Sequence, residues 1–494
     1  MARLESLQFD NSFARLSDAF HTRISPTPLY RPHLACFNHT AAELIELDPA
    51  EAHRAEFVDY FNGARILPGA DPLAAIYAGH QFGHFVPQLG DGRAVLLGEV
   101  RTSQGKRWEL QLKGSGQTPY SRSADGRAVL RSTIREYLCS EAMHGLNIPT
   151  TRALCIIGSE EEVYRESLES GAMLLRMAPS HLRFGNFELF YYRNQYDELR
   201  QLADYAIDHL FPEIADAPNR YLELFREVSR RTAELISRWQ LVGFAHGVMN
   251  TDNMSLLGLT IDYGPFGFLD SYDPSFICNH SDHTGRYAFA AQPMIARWNV
   301  SRLGQALLPL FEGSNKEAAE HANETLSEFM PHFDRHYSAG LAKKLGLTSS
   351  DTNDDQLVQS LLKQMQESGC DFTNLFRTLS DLQLDNPNAD GPLRDQFIDR
   401  DGFDQWTINY RKRLHAEGSR DELRKQSMDR VNPKYILRNY LAQSAIERAE
   451  QGDYSEVDRL MSLLRDPFSE QAEMSEYAAL PPDWANTIEV SCSS

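Results

Sequence analysis

From residue 85 the chain alternates short apolar runs with turn-forming residues. FVPQL (85–89), AVLLGEVRT (94–102) and RWELQLK (107–113) are separated by Gly90-Asp91-Gly92-Arg93 and Ser103-Gln104-Gly105-Lys106. Asp-Gly between apolar runs is a strong hairpin signal, so three antiparallel strands are expected. The period then changes. In 125–143, Leu130, Ile134, Leu138 and Ala142 recur every four residues, which predicts a helix with Asp125 as its N-cap. Strands are expected at 151–158 and 171–178, and a long helix at about 219–240. MSLLGLTI (254–261) reads as two short strands turning near Gly258. Beyond about 310 the pattern is mostly helical, as in 433–449 and 454–465, broken by the polar loop 348–356. Residues 1–60 hold Pro26, Pro28 and Pro32 among short apolar stretches and are expected to be irregular, wrapping another domain. The hexapeptide DGRAVL occurs twice, at 91–96 and 125–130, without any array of repeats.

Three strands, a helix, two strands and a long helix follow the order of a protein kinase. The expected fold class is therefore α+β, a bilobal protein-kinase-like fold with terminal extensions. Its small antiparallel-sheet N-lobe would span 61–180 and its mainly helical C-lobe 181–310. Residues 1–60 would wrap the lobes, and 311–494 would form a helical C-terminal region. A chain of 494 residues is too long for one ordinary core.

Composition narrows the partners. Hydrophobic residues make up 42% and charged residues 24%, as in globular proteins. A net charge of −20 argues against nucleic acid and anionic membranes, which demand basic patches. No apolar run reaches the length of a membrane span. The opening MARLESLQFDNSF shows neither a secretory nor an organelle leader pattern. Cys36, Cys139, Cys155, Cys278, Cys370 and Cys492 are scattered and form no C-x-x-C pair. A cytoplasmic protein with reduced thiols is expected.

The chemistry concentrates in HGVMNTDNMSLLGLTIDYG (246–264). In a kinase, H-R-D-x-x-x-x-N supplies a base and a magnesium ligand, and D-F-G a second ligand. Here Asn253 and Asp262 keep the metal-ligand positions, and both are hard oxygen donors suited to Mg²⁺ or Mn²⁺. Val248, however, stands where the base should be. Asp252 is a carboxylate beside the metal position and reads equally as a base or as an orienting group. Lys113 closes the third strand, and Glu136, 23 residues on, lies in the helix, the order of the kinase Lys–Glu pair. Gly90 and Gly92 form a G-x-G that lacks the third glycine of a phosphate loop. Asp125-Gly126 opens the predicted helix, whose N–H groups would attract phosphate while Asp125 repels it. Arg176 and Arg183 bracket the place of a kinase hinge, where guanidiniums suit phosphate better than a base edge. Surface ion pairs are the alternative for these two. Cys278, His280 and His283 would need a fourth ligand to hold zinc. His80 and His84, four apart, could share a helix face, with a packing role favoured over metal.

Several long motifs resemble the selenoprotein O family, pseudokinase-fold protein adenylyltransferases. They are LESLQFDNSFARL, GHQFGHFVPQLGDGRA, LQLKGSGQTPYSRSADGRAVLRSTIREYL, LRFGNFELF, HGVMNTDNMSLLGLTIDYGPFGFLD and NPKYILRNYLAQ, spanning residues 4 to about 444. The resemblance implies ATP bound in flipped orientation and transfer of AMP to Ser, Thr or Tyr hydroxyls of proteins, with release of pyrophosphate. It implies nucleotide contacts at Gly90, Gly92, Arg93, Lys113, Asp125, Gly126, Arg176, Arg183 and Asp262, with Lys113 and Glu136 as the ion pair. It also implies metal ligation by Asn253 and Asp262, and proton acceptance by Asp252. Many animal members carry selenocysteine three residues from the C-terminus, where this chain has Cys492. A reversible disulfide between Cys278 and Cys492 is the expectation that follows. A phosphotransferase and a non-catalytic nucleotide-binding scaffold are the rival readings. UTP stands beside ATP because no residue is seen to read the base, and a monomer is the expected state.

Overall fold

The computed structural model describes residues 1–491. An antiparallel sheet contains β1 (His21–Arg23), β2 (His33–Phe37), β3 (Leu73–Gln81), β4 (His84–Gly90), β5 (Ala94–Arg101) and β6 (Arg107–Lys113). It is completed by β7 (Ala128–Val129), β8 (Arg152–Tyr164) and β9 (Leu168–Ala178). The strand order is β1-β3-β5-β6-β9-β8-β2, with β4 on β3 and β7 on β9. Residues 1–60 are thus not merely irregular: they donate the two edge strands β1 and β2 and the short helices α1 (His39–Leu44) and α2 (Ala55–Phe61).

Strand alternation explains how the sheet is covered. In β6, Leu110 and Leu112 point to one face, where they pack with Leu4, Phe57 and Phe61 of the N-terminal segment. Glu109, Gln111 and Lys113 occupy the other face. On that side lies α3 (Leu130–Gly145), whose Ile134 and Leu138 share a core with Leu174 of β9 and Ile156 of β8.

The predicted helix begins later than its sequence pattern. Asp125 is not its N-cap; Val129 holds that position without a side-chain cap. The residues between are used otherwise, because Ala128 and Val129 pair with Ala172 and Gly171 of β9. Gly126, at φ 71°, lies so close to Gly116 that a Cβ would strike the Gly116 carbonyl. FVPQL is a strand, yet it pairs with β3, which the pattern missed, and not with β5. The Asp91 N–H donates to the Ala75 carbonyl at 2.9 Å, and its carboxylate accepts from the Ala75 N–H at 3.0 Å. The Gly-Asp-Gly turn therefore seats on β3 instead of closing a direct hairpin. His80 and His84 fall on β3 and β4, not on a helix.

The helical part contains α4 (Phe184–Tyr192), α5 (Tyr196–Leu210), α6 (Arg220–Leu241) and α7 (Gln292–Leu307). Between α6 and α7 run β10 (Phe244–Ala245) and its partner β11 (Gly267–Phe268). MSLLGLTI is not a hairpin: Ser255 bridges to Arg183 and Thr260 to Thr150, so each arm serves a different neighbour. Next come α8 (Asn315–Ser327), α9 (Phe329–Lys344), α10 (Asp354–Ser368) and α11 (Phe372–Leu379). Then follow α12 (Gly391–Arg394), α13 (Arg400–Ala416), α14 (Asp421–Asp429), α15 (Asn439–Ala449) and α16 (Ser455–Arg465). Residues 433–438, read as helix from their pattern, run non-helically into α15. A second apolar core joins α9–α11, α13 and α14 through Phe372, Phe403 and Trp406 among others. Among the described residues no helix is long and apolar enough to cross a membrane.

Candidate active site

The end of β6 places Lys113 against α3, where its Nζ pairs with Glu136 Oε2. The other oxygen of Glu136 takes Nη1 of Arg176 at 3.2 Å. Arg176 on β9 faces Gln111 across the ladder and donates Nε to the Gln111 amide oxygen at 2.7 Å. Its Nη1 also pairs with Asp262 Oδ1. Arg183, at the N-cap of α4, takes Asp262 Oδ2 at 2.5 Å and donates to the Asp252 carbonyl at 2.8 Å. Five charged groups thus form one chain, Lys113–Glu136–Arg176–Asp262–Arg183, with three cations against two carboxylates. Burial opposes ionisation of Asp262, yet Arg176, Arg183 and Lys113 hold its carboxyl well below the usual range. Asp262 itself sits at φ 56°, a left-handed conformation that a non-glycine residue holds only when its surroundings impose it. Both guanidiniums hold the side chain of this residue.

This cluster forms one wall of a cavity of about 660 Å³. Gly90, Gly92, Arg93, Lys113, Asp125, Gly126, Arg176, Asn253 and Asp262 all line it. Glu136, Arg183 and Asp252 do not; they stand behind the lining residues they touch or adjoin. Val248 lines the cavity as well. Its neighbour His246 is structural: it accepts at Nδ1 from the Val248 N–H at 3.3 Å, contacts the Ile261 carbonyl through Nε2 at 2.9 Å and stacks on Trp239.

Asn253 donates its amide N–H to the Val248 carbonyl at 2.9 Å, which aims the amide oxygen away from that bond. Asp252 is buried, and Gly79 lies so near that a Cβ there would press on Oδ1. Gln81 donates to its Oδ2 at 3.1 Å, whereas the buried Oδ1 has no hydrogen-bond partner among the described residues. Burial pushes this carboxyl up to about 6 against the pull of Gln81 and Arg183. Thr251 is held by Glu188, which also takes Nδ1 of His80 at 2.5 Å. The motifs GHQFGHF and LRFGNFELF thereby clamp the loop 250–253 from two sides.

The repulsion expected of Asp125 is offset. Arg165 pairs with its carboxylate at 2.7 Å and, as the main cause, draws it below its ordinary value. Arg165, Tyr120, Arg122 and Arg127 line the cavity and were not singled out from sequence. Arg122 lies in the polar stretch between Gly116 and Gly126 and Arg127 directly follows it in the repeated DGR triplet, signals that could have found them. Arg165 sits in the β8–β9 turn and carries no such signal. Tyr120 packs over the G-x-G turn: a Cβ on Gly90 would strike its ring, and one on Gly92 would press on its carbonyl.

The remaining candidates lie apart. Cys278 is buried and donates its thiol to the Ala245 carbonyl at 3.4 Å. Burial pushes that thiol up to about 12, so it is protonated at neutral pH. Cys492, its expected disulfide partner, lies outside the described residues. Among the described residues no three His, Cys, Asp or Glu side chains gather to hold a metal, so Cys278, His280 and His283 do not assemble a zinc site. Asn253 and Asp262 offer one amide oxygen and one carboxylate to the same cavity. That donor set fits a Mg²⁺-like ion completed by phosphate oxygens and water. Both Asp262 oxygens are engaged by arginine, so a metal would use their remaining lone pairs or displace one guanidinium.

A cationic wall, a carboxylate and an amide oxygen around a cavity of this size define a site for a polyanionic ligand. A sequence model for the family described as "Protein adenylyltransferase SelO" matches residues 3–465, and the chain belongs to that family. The chain is 58% identical to "Protein nucleotidyltransferase YdiU" of Thioalkalivibrio sulfidiphilus over 494 residues. It is 55% and 54% identical to the proteins of that name in Thiobacillus denitrificans and Myxococcus xanthus. Each alignment covers 100% of both chains. The chain is accordingly an enzyme of the nucleotidyltransferase class.

Proposed function

We propose that this enzyme transfers AMP from ATP to hydroxyl side chains of proteins. The acceptor oxygen attacks the α-phosphorus, the bond to the β-phosphate bridge breaks, and pyrophosphate leaves. The observation that carries the reading is the pairing of Arg176 and Arg183 on Asp262, with Val248 where a kinase base belongs. Arg176 and Lys113 on the cavity wall favour charge building on a departing pyrophosphate, and Arg183 backs them through Asp262. Asp252 receives the hydroxyl proton once a shift of the loop 250–253 brings its buried Oδ1 to the cavity, while Gln81 orients the carboxylate through Oδ2. Mg²⁺ or Mn²⁺, held by Asn253 and Asp262, would neutralise phosphate charge when bound. In this reading residues 61–180 and 181–310 act as the two lobes of a kinase-like fold, extended by 1–60 and 311–494. ATP would lie flipped, with its terminal phosphates toward Arg176 and Arg183.

Incubation with ATP labelled at either the α- or the γ-phosphate, a protein acceptor and either metal tests this. Label passes to protein from the α position only. Transfer from γ alone would establish a phosphotransferase, and transfer from neither a non-catalytic scaffold. UTP labelled at the α-phosphate, run in parallel, reports whether the site selects its base.

A further inference from the structure

The stretch NPKYILRNYLAQ (432–443) sends no side chain into the cavity. Two of its residues are nevertheless tied to elements that do. Arg438, 1% exposed, pairs with Asp270 at 2.5 Å and Asp371 at 2.8 Å. Asn439, the first residue of α15, accepts at Oδ1 from both Nη1 and Nη2 of Arg135, each at 3.3 Å. Arg135 is buried on α3 and also donates to the Phe266 carbonyl at 2.9 Å, its guanidinium 4.4 Å above the Phe266 ring. The Asn439 amide nitrogen stands 3.4 Å from where a Gly267 Cβ would be. Asn439 therefore sits where α3 meets the segment that follows Asp262.

The far end of α3 is held too. Gly145 lies against the Leu464 carbonyl of α16 so closely that any Cβ would collide with it. The hairpin α15–α16 thus grips α3 at residues 135 and 145, roughly 15 Å apart along a helix. Successive helical residues point about 100° apart. Holding Arg135 against Asn439 therefore sets the rotation at which its neighbour Glu136 meets Lys113 and Arg176.

We propose that Asn439 is a positioning residue and the α15–α16 hairpin a built-in brace for the active-site helix. Through Arg135 it orients Glu136, and through Phe266 it seats the segment carrying Asp262. This gives the helical C-terminal region a role in nucleotidyl transfer, and it rests on that reading of the cavity. Displacing reacting groups by about 1 Å can lower a rate about 10²-fold, so a brace acts mainly on kcat.

The test compares Asn439→Ala with Asn439→Asp, which keeps an acceptor oxygen for Arg135. Measurements are kcat and KM for α-label transfer, thermal unfolding, and hydrogen exchange of residues 130–138 and 262–268. Asn439→Ala is expected to lower kcat roughly 10- to 100-fold, leave KM for ATP within about twofold, and speed exchange in those two segments. Asn439→Asp is expected to recover kcat to within about threefold of wild type. Unchanged kcat with unchanged exchange in Asn439→Ala overturns the brace. So does an equal loss in both variants that tracks global unfolding. If Asn439→Ala does not fold, Asn439→Ser shortens the reach and carries the same comparison. If wild type transfers no α label while exchange in α3 still responds, the brace stands and the proposed activity falls.

Discussion

One face of β6 carries Glu109, Gln111 and Lys113 in turn, and its two ends treat buried charge in opposite ways. At the Lys113 end, cations and carboxylates alternate through Glu136, Arg176, Asp262 and Arg183. At the Glu109 end, Glu109 stands directly across the ladder from Glu99, a like-charge pair. Burial pushes both carboxyls up to about 7, and Glu109 adds to the effect on Glu99. Glu99 accepts from the Phe13 N–H at 2.6 Å and from Ser12, and Glu109 accepts from the His181 N–H at 2.7 Å. One end is neutralised by opposite charge; the other relies mainly on protons and N–H groups, with a single cation, Arg107, 3.4 Å from Glu99. Only the first opens onto a large cavity; the space beside Glu109 is about 20 Å³, room for about one water. Buried ionisable groups therefore do not by themselves mark a site. The Lys113 end is distinguished by cations that a ligand can reach.

The largest effect expected is that of Asp262→Asn, which keeps the shape but removes the carboxylate shared by both arginines. It should lower kcat for α-label transfer by about 10²–10³-fold, as measured under saturating ATP. A folded variant with full activity would place the chemistry elsewhere. Lys113→Met comes next, with a loss of about 10²-fold. Its thermal unfolding should shift little, because Arg176 still pairs with Glu136. A collapse in stability without a specific loss of kcat would make the Lys113 end structural, like its opposite.

A smaller change separates orientation from chemistry. Gln81→Leu removes the amide from Asp252 Oδ2 and should lower kcat by about 10-fold with KM unchanged, in initial-rate assays at several ATP concentrations. Glu109→Gln should barely alter kcat and should instead change how stability depends on pH. Below about 4.5 a glutamate is protonated in both folded and unfolded chains, and the stability that the protonated pair supplies is fully present. Between about 4.5 and 7 the unfolded chain releases the proton while folded Glu99 and Glu109 retain theirs, so stability falls as pH rises. Above about 7 the loss is complete. Urea unfolding at several pH values should show a decline on the order of 3 kcal/mol for each of the two carboxyls across that window, shallower in Glu109→Gln. A rise of stability with pH there would reverse the assignment.

Much of the Lys113 end was legible along the chain. Lys113, Glu136, Asn253 and Asp262 occupy spacings that kinase-like chemistry demands, and the structure brings them to one cluster or its cavity. The unpredicted parts depend on contacts between distant segments. Asp125 fails as a cap because Gly126 crosses Gly116 and Val129 pairs with β9 before the helix starts. The strand at 73–81 went unseen, although it supplies the partner of FVPQL and the Gly79 that makes room for Asp252. For Arg176 and Arg183 the sequence leaves phosphate contacts and surface ion pairs open; both are buried and pair with Asp262, which rules out the surface reading and which no spacing reveals.

Taken alone, the sequence determined the periods: alternation in β6, the four-residue repeat of α3, and the residue types at the metal and Lys–Glu positions. These are local properties, set by backbone geometry and side-chain chemistry. Tertiary structure decided which polar positions on the same strand face a cavity, because desolvation depends on all that surrounds a charge. Glu109 and Lys113 share a strand, a face and an alternation pattern. Their fates differ because the Ser12–Phe13 segment and His181 close over one, while the Tyr120 loop and the DYG segment leave the other open.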